Sequence, residues 1–186
     1  MKRLPHNLKT LALSIYHSHE KQISLQQKER LFEIMREAYA STEEEIWGPK
    51  YIRMPKEEYF ELLDTKTVLV AFWDNVIVGS IRYYRKNDDT FGFGLLCTDP
   101  EYKRRGIGQT MIERVEEIAK TEGASRVELE ILRVQDFDTD VKLMLAAWYE
   151  RLGYKYTHSD DFANYNAEKA KLLARPSNFD YYSKDL

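Results

Sequence analysis

The sequence contains a single cysteine, Cys97, among 186 residues. One cysteine cannot form a disulfide within the chain or supply a zinc site built from several cysteines. A chain without disulfides is typical of a reducing compartment, and we therefore expect a cytoplasmic location. His17 and His19 have no third ligand near them in the sequence, so we expect no metal site.

Long hydrophobic runs and an excess of charge of one sign are also absent. The longest apolar runs, residues 68–73 and 143–148, are too short to span a bilayer, and no apolar segment follows the basic residues 1–6. We expect neither a membrane anchor nor a secretory signal. With 28 Lys and Arg against 31 Asp and Glu, the net charge of −3 argues against a nucleic-acid partner.

Aromatic residues, in contrast, are abundant. The chain has 13 Tyr, 8 Phe and 3 Trp, and 43% of its residues are hydrophobic, which is enough to build a core. The length fits one domain, and no segment has the composition of a linker. We therefore expect a single domain over residues 1–186.

Hydrophobic periodicity predicts an alternation of strands and helices. Gly92 and Gly94 lie inside one predicted strand and indicate a bulge or a close backbone approach there. The order strand, helix, strand after residue 90 predicts two parallel strands joined by a crossover helix. The predicted strands are residues 11–16, 68–73, 76–84, 90–98, 126–131, 154–157 and 179–183. The predicted helices run from Ser24 to about Tyr39 and over residues 56–63, 107–121 and 141–152.

The most informative segment is Lys103-Arg104-Arg105-Gly106-Ile107-Gly108, which follows a strand and begins a helix. A helix N-terminus presents free N–H groups, glycine permits close approach, and the three cations add charge, so we expect an anion such as a diphosphate. A dinucleotide fingerprint would need glycine at Met111, and a P-loop would need a different sequence at residues 108–110. A glycine-capped helix with solvated cations, or a nucleotide-phosphate site, remains an alternative.

This run resembles motif A of the GNAT acetyltransferase superfamily, Arg/Gln-x-x-Gly-x-Gly/Ala, with Lys103 in place of the usual Arg or Gln. A second run, residues 148–154, is similar to the family's aromatic-Tyr-x-x-x-Gly-aromatic motif. The resemblance covers residues 95–154. It implies an α+β fold, an α/β sandwich with a central mixed, mostly antiparallel sheet of about seven strands flanked by helices. A β-α-β crossover in that fold binds acetyl-CoA.

The resemblance also implies a function. The chain would be an acetyl-CoA-dependent N-acetyltransferase in which a primary amine attacks the thioester directly. Its partners would be acetyl-CoA and a small amine or a peptide amine, and aromatic residues near the C-terminus, such as Tyr181 and Tyr182, allow a homodimer. The alternative is a CoA-binding sensor that has the same fold but no turnover.

For cofactor binding, the resemblance places acetyl-CoA between the strands at residues 90–98 and 126–131. The pyrophosphate would meet the backbone amides of the glycine loop, and the pantetheine arm would pair with the preceding strand. The implied cofactor-binding residues are Leu96, Cys97, Thr98, Lys103, Arg104, Arg105, Gly106, Ile107, Gly108 and Gln109.

For catalysis, Tyr149 matches the family's tyrosine that protonates the departing thiolate. A phenol with a pKa of about 10 stays protonated beside a thiol with a pKa of about 8.5. Backbone N–H groups near Leu96 or Cys97 would stabilise the oxyanion. We take Glu130 as the general base; Glu128 shares its face of the strand, and a solvated face is the alternative for both.

One position departs from the family pattern. Many members carry asparagine seven residues before the motif tyrosine, where this chain has Lys142. Either the cofactor contact differs, or Thr139 or Asp140 replaces it. The sensor alternative rests on Lys142 and on the lack of a carboxylate in the strand before Leu95. We expect Cys97 to be a small strand residue beside the cofactor, not a nucleophile.

Overall fold

The computed structural model describes residues 13–186, and seven strands in this range form one sheet. The strands are β1 (Leu13–His17), β2 (Val68–Trp73), β3 (Val76–Arg85), β4 (Thr90–Thr98), β5 (Arg126–Val134), β6 (Lys155–Asp161) and β7 (Ser177–Asp185). Their order across the sheet is β1-β2-β3-β4-β5-β7-β6. Only β4 and β5 pair in parallel, which confirms the mixed, mostly antiparallel sheet.

Helices cover both faces of the sheet. They are α1 (Leu25–Trp47), α2 (Lys56–Leu63), α3 (Ile107–Thr121), α4 (Asp140–Arg151), α5 (Phe162–Tyr165) and α6 (Ala167–Ala170). Helices α1 and α2 pack on Val68, Val70 and Phe72 of β2. Helices α3 and α4 pack on the opposite face, which includes Leu69 and Ala71. Alternate strand residues thus serve two separate cores.

The parallel pairing of β4 with β5 is short. It joins Thr90–Gly92 to Arg126–Glu128 and goes no further. Strand β5 then pairs with β7 along its whole length, from Arg126 to Val134. The second half of β4 therefore has no partner on its β5 side, and the two strands enclose an open cleft.

A bulge bends β4 at the start of this cleft. Arg82 pairs with Gly94, whereas Ser80 pairs with Cys97, so one residue is added to β4. The bulge lies at Leu95, which has φ of +48° and directly follows Gly94, so of the two predicted features the bulge is next to a glycine and not at one. Gly92 instead leaves room for Tyr84, because a Cβ there would lie 2.7 Å from the Tyr84 ring.

Helix α1 is longer than the sequence predicted. It begins after a capping box in which Ser24 and Gln27 exchange hydrogen bonds of 3.0 and 3.2 Å. It continues past Tyr39 to Trp47, because Ile46 and Trp47 pack against residues of β5 and α5. Residues 40–45, between Tyr39 and Ile46, lack an apolar stripe. Periodicity alone therefore predicted a helix that ends too early.

The other predicted elements agree with the structure to within a few residues. The bounds of β2, β4, α2 and α3 are as predicted, while β6 and β7 are longer. Residues 11 and 12 of the first predicted strand lie outside the described residues. Across residues 13–186, no helix is long and apolar enough to cross a membrane.

A buried carboxylate joins α3 to β7. Glu116 is 9% exposed, and its oxygens accept hydrogen bonds from Lys184 Nζ at 2.8 and 2.9 Å and from the Tyr154 hydroxyl at 2.9 Å. Burial, together with this carboxylate, raises the pKa of Tyr154 far above its ordinary value. Glu116 therefore pairs with the partly exposed Lys184 ammonium group and satisfies the buried Tyr154 hydroxyl.

We expect the Glu116→Ala variant to lose about 3 kcal/mol of unfolding free energy, because it leaves Lys184 and Tyr154 without their partner. Urea denaturation measures the loss. The control is Glu117→Ala, which removes an exposed pair with Arg114 and should change stability by less than about 0.5 kcal/mol. Equal losses in both variants would contradict the role assigned to Glu116.

Candidate active site

The cleft between β4 and β5 contains a cavity of about 950 Å³. Its walls come from α1, the two strands, the start of α3, and α4. All the site residues predicted from the sequence line this cavity. They are Leu96, Cys97, Thr98, Lys103, Arg104, Arg105, Gly106, Ile107, Gly108, Gln109, Glu130 and Tyr149.

The glycine loop presents free backbone donors to the cavity. Arg104 and Gly106 have φ of +62° and +76°, which turns the chain into α3. The first helical bond runs from Thr110 N–H to the Gly106 carbonyl, at 2.9 Å. Within residues 13–186, the N–H groups of residues 104–109 have no acceptor. Such a turn at a helix N-terminus is suited to an anion.

The loop's three cations are also unpaired. None of Lys103, Arg104 and Arg105 forms an ion pair with a residue that the structure describes. The Arg105 guanidinium lies 5.0 Å from the Trp73 ring centre and 5.1 Å from that of Tyr102, which fixes its direction. The loop thus combines free amides with uncompensated positive charge.

Gly108 sets the distance between α3 and α4. A Cβ at this position would lie 3.3 Å from Cη2 of Trp148, closer than nearly all such contacts. Trp148 is the neighbour of Tyr149 on α4. The missing side chain therefore lets the loop approach the helix that carries the predicted catalytic tyrosine.

The backbone of β4 forms one wall of the cleft. Asp99 N–H donates to the Val78 carbonyl at 2.7 Å, and bonding directions alternate along a strand. The backbone groups of Cys97 therefore point to β3, and those of Leu96 and Thr98 point to the cleft. Of the two positions considered for an oxyanion donor, Leu96 has the suitable direction.

The Cys97 thiol does not face the cofactor side as we expected. Its Sγ lies 3.4 Å from the Ser80 hydroxyl, within the core formed by α1 and α2. Burial raises the pKa of the thiol above its ordinary value. A neutral, enclosed thiol is a poor nucleophile.

Tyr149 lies in an aromatic environment on α4. Its side chain is 8% exposed, and its ring centre is 6.0 Å from Phe93 and 6.1 Å from Tyr154. Its hydroxyl has no hydrogen-bond partner among residues 13–186, and the residue lines the cleft. Burial raises the pKa of Tyr149 well above its ordinary value, so the hydroxyl remains a proton donor.

Glu128 and Glu130 share one cation instead of facing solvent separately. Lys86 Nζ lies 2.8 Å from a carboxylate oxygen of each, and the Tyr84 hydroxyl donates to Glu130 at 3.4 Å. The side chain of Glu130 is 19% exposed. Although burial opposes it, these two carboxylates raise the pKa of Lys86. Glu130 lines the cavity, whereas Glu128 does not.

A second charged group in the cavity was not predicted from the sequence. Glu43 accepts from Trp47 Nε1 at 3.0 Å and lies 3.4 Å from Arg53 Nη1 and 3.6 Å from Lys142 Nζ. Lys142 is thus held by a carboxylate of α1. Burial lowers its pKa, with Glu43 acting in the opposite direction. No pattern in the sequence connects these residues, because the pairing spans three separate segments.

The family is established by a match over most of the chain. Residues 29–154 match the sequence model of the acetyltransferase (GNAT) family, and the chain belongs to this family. It is therefore an N-acetyltransferase whose cosubstrate is acetyl-CoA. This excludes the alternative of a nucleotide-phosphate site unrelated to CoA. Among curated protein sequences, none matches the chain.

Solved structures agree on the fold. An aminoglycoside 6′-N-acetyltransferase complexed with coenzyme A has a TM-score of 0.68 and 15% identity, covering 94% of this chain and 97% of that one. The PaiA N-acetyltransferase from Thermoplasma acidophilum, in complex with coenzyme A, has a TM-score of 0.64 and 18% identity, covering 95% and 100%. Ard1 from Thermoplasma volcanium has a TM-score of 0.64 and 15% identity, covering 95% and 99%.

We expect Cys97 to react with a disulfide reagent on the order of 100-fold more slowly in the native protein than in urea, because the thiol is buried and neutral. The release of thionitrobenzoate from DTNB measures both rates. Reaction of the native protein at the rate of the unfolded chain would show that the thiol is accessible from the cleft.

Proposed function

We propose that this enzyme transfers the acetyl group of acetyl-CoA to a primary amine by direct attack on the thioester, within the cleft between β4 and β5. The observation that supports this most directly is the content of one cavity. It brings together the free amides of residues 104–109, the unpaired hydroxyl of Tyr149 and the carboxylate of Glu130. These groups suit an anion, a leaving thiolate and an ammonium group, respectively.

The chain offers a continuous binding surface for the cosubstrate. The amides of residues 104–109 and the cations Lys103 and Arg105 would hold the pyrophosphate. The backbone groups of Leu96 and Thr98 would pair with the amides of the pantetheine arm, as an added strand would. This places the thioester beside the bulge at Leu95, between β4 and the α4 residue Tyr149.

The acceptor amine would enter on the α1 side of the sheet, where Glu130 lies. An ammonium ion must lose a proton before it attacks, and Glu130 would accept that proton directly or through water. Lys86 and the Tyr84 hydroxyl fix the position of this carboxylate. No carboxylate of β4 is available for the same purpose.

The thioester supplies the acetyl group: a C–N bond to the amine forms, and the C–S bond to CoA breaks. The Leu96 N–H would stabilise negative charge on the carbonyl oxygen. The Tyr149 hydroxyl would donate its proton to the departing sulfur. The ammonium nitrogen would lose two protons in all: one passes to Glu130 and then to solvent, and the other, released as the amide forms, returns through solvent to the Tyr149 phenolate. The products are an amide, the CoA thiol and one proton.

Lys142 gives no support to the alternative of a sensor without turnover. The side chain is 6% exposed and is held by Glu43 in the cavity, so it forms part of the wall. The carboxylate missing from β4 would be supplied by Glu130 on the next strand. Glu130 supports the catalytic proposal, and Lys142 does not count against it.

We expect Tyr149→Phe to lower kcat by about 100-fold without changing the Kd of acetyl-CoA, because it removes only the proton donor. Because burial raises the pKa of Tyr149, phenol ionisation should not lower the wild-type kcat below about pH 10. Thiol release at several pH values measures both effects. Tyr156→Phe on the exposed strand β6 is the control, and an unchanged kcat in Tyr149→Phe would remove the tyrosine from the mechanism.

We expect Gly108→Val to raise the Kd of CoA by about tenfold, because the new side chain meets Trp148 and displaces the start of α3. Calorimetry with CoA measures this. The control, Gly123→Ala, has φ of +82° and free space around it. It should lose about 1 kcal/mol of stability and keep its affinity for CoA. Normal CoA affinity in Gly108→Val would contradict the proposed position of the pyrophosphate.

A further inference from the structure

We propose that the acceptor is an amine that also carries a carboxylate, such as a free amino acid. This inference rests on the proposed function and specifies its substrate class. It concerns the acceptor pocket, which we define as the part of the cavity bounded by Glu43, Arg53, Arg82, Glu130, Lys142 and Tyr165.

One side of the acceptor pocket carries more positive than negative charge. The Glu43 carboxylate faces two cations, Arg53 Nη1 at 3.4 Å and Lys142 Nζ at 3.6 Å. The side chains of Glu43 and Lys142 are 7% and 6% exposed. A buried charge is costly without a counter-charge, and this group contains two cations but a single carboxylate. A carboxylate of the substrate would supply the second.

Arg82 adds a further cation with no counter-charge. No carboxylate of residues 13–186 forms an ion pair with it, and its Nε is buried without a hydrogen-bond acceptor. Arg82 pairs in register with Gly94, and a Cβ at Gly94 would meet nothing within 4 Å. The guanidinium therefore borders open space in the cavity, and its fork of donors suits a carboxylate.

The opposite side of the acceptor pocket is negative. Glu130 lines the cavity there, and its counter-ion Lys86 is shared with Glu128, which lies outside the cavity, so Lys86 does not fully neutralise Glu130. The Tyr84 side chain separates the two sides. Its ring centre is 5.6 Å from the Arg82 guanidinium, and its hydroxyl reaches Glu130 at 3.4 Å. An acceptor whose ammonium group lies at Glu130 would extend past the Tyr84 ring to bring its carboxylate toward Arg82.

Tyr84 and Tyr165 line the same cavity as the charged residues of both sides, Arg53, Arg82 and Lys142 on one and Glu130 on the other. The pocket is therefore a single space with opposite charges at its two sides. A polyamine would bring additional positive charge to Arg53 and Arg82, and an amine without a carboxylate would leave Arg82 without a counter-charge.

The phosphates of CoA do not account for this charge. The cations of the glycine loop follow the other end of β4, beyond Thr98. Arg82 faces Gly94, on the amino-terminal side of the bulge, and Arg53 lies in the segment between α1 and α2. The positive side of the acceptor pocket is thus separate from the pyrophosphate position.

The test compares matched acceptors in a thiol-release assay with acetyl-CoA. The pairs are glycine and glycinamide, β-alanine and β-alaninamide, and lysine and cadaverine, within a wider panel of amino acids and their amides. For the accepted amino acids we expect kcat/KM to exceed that of the partner without the carboxylate by at least about tenfold. Equal or better use of the partners would overturn the inference and leave the proposed function intact.

The variant Arg82→Gln should remove this preference. We expect at least about a tenfold loss of kcat/KM for the amino acid, through KM, and less than about a twofold change for its amide. The control is Arg85→Gln. Arg85 lies on the same strand, but its side chain forms an ion pair with Glu122 outside the cavity. A loss of equal size for both acceptors would show a structural role only and would overturn the inference.

A binding measurement separates the inference from catalysis. With CoA-saturated protein, calorimetry should show at least about tenfold tighter binding of the N-acetyl amino acid than of its amide, and Arg82→Gln should abolish the difference. If acetyl-CoA binds but no amine is acetylated, the proposed function fails, and this measurement still decides the inference. Equal binding of both products would overturn it.

Discussion

The separation of β4 from β5 is the constraint on which the site depends. A strand has two hydrogen-bonding edges, and β5 uses one of them for β7 along its whole length. The other edge of β5 pairs with β4, but only as far as Gly92 of β4. The bulge at Leu95 then turns β4 away from β5. The opening exposes backbone donors and acceptors of β4 that would otherwise be paired. It also places the N-terminus of α3 at the mouth of a cavity instead of above a closed sheet.

Charge is distributed along this opening in two separate groups. The glycine loop carries three consecutive cations that a net charge of −3 for the whole chain conceals. The acceptor pocket carries Arg53, Arg82 and Lys142, of which Arg53 and Lys142 share the carboxylate of Glu43. The first group sits on a turn with free amides, which suits phosphate. The second sits among buried side chains, where a single carboxylate has a large effect. In the proposed function the first group would bind acetyl-CoA and the second would bind the acceptor.

Local patterns in the sequence predicted the features that depend on neighbouring residues. The stripe of α3, the glycine loop and the position of Tyr149 follow from spacing within one segment or from the family resemblance. The bulge was misplaced because Leu95 adopts a positive φ that nothing in its own residue type favours. The group around Glu43 was missed because its members come from α1, the segment after it and α4. Contacts between such distant segments leave no periodic signal.

The chemistry and the choice of acceptor use different parts of the chain. The groups proposed to act on the thioester are backbone amides of β4 and the α3 turn, with Tyr149 on α4. The groups proposed to face the acceptor are side chains of α1, the segment after it, β3, β5 and, with Lys142, α4. Backbone amides persist whatever side chains surround them, so changes at Arg53 or Arg82 alter the acceptor pocket without dismantling the cofactor cleft. This separation explains physically how one fold can serve acceptors of different charge, and why the acceptor must be inferred from the side chains of the pocket.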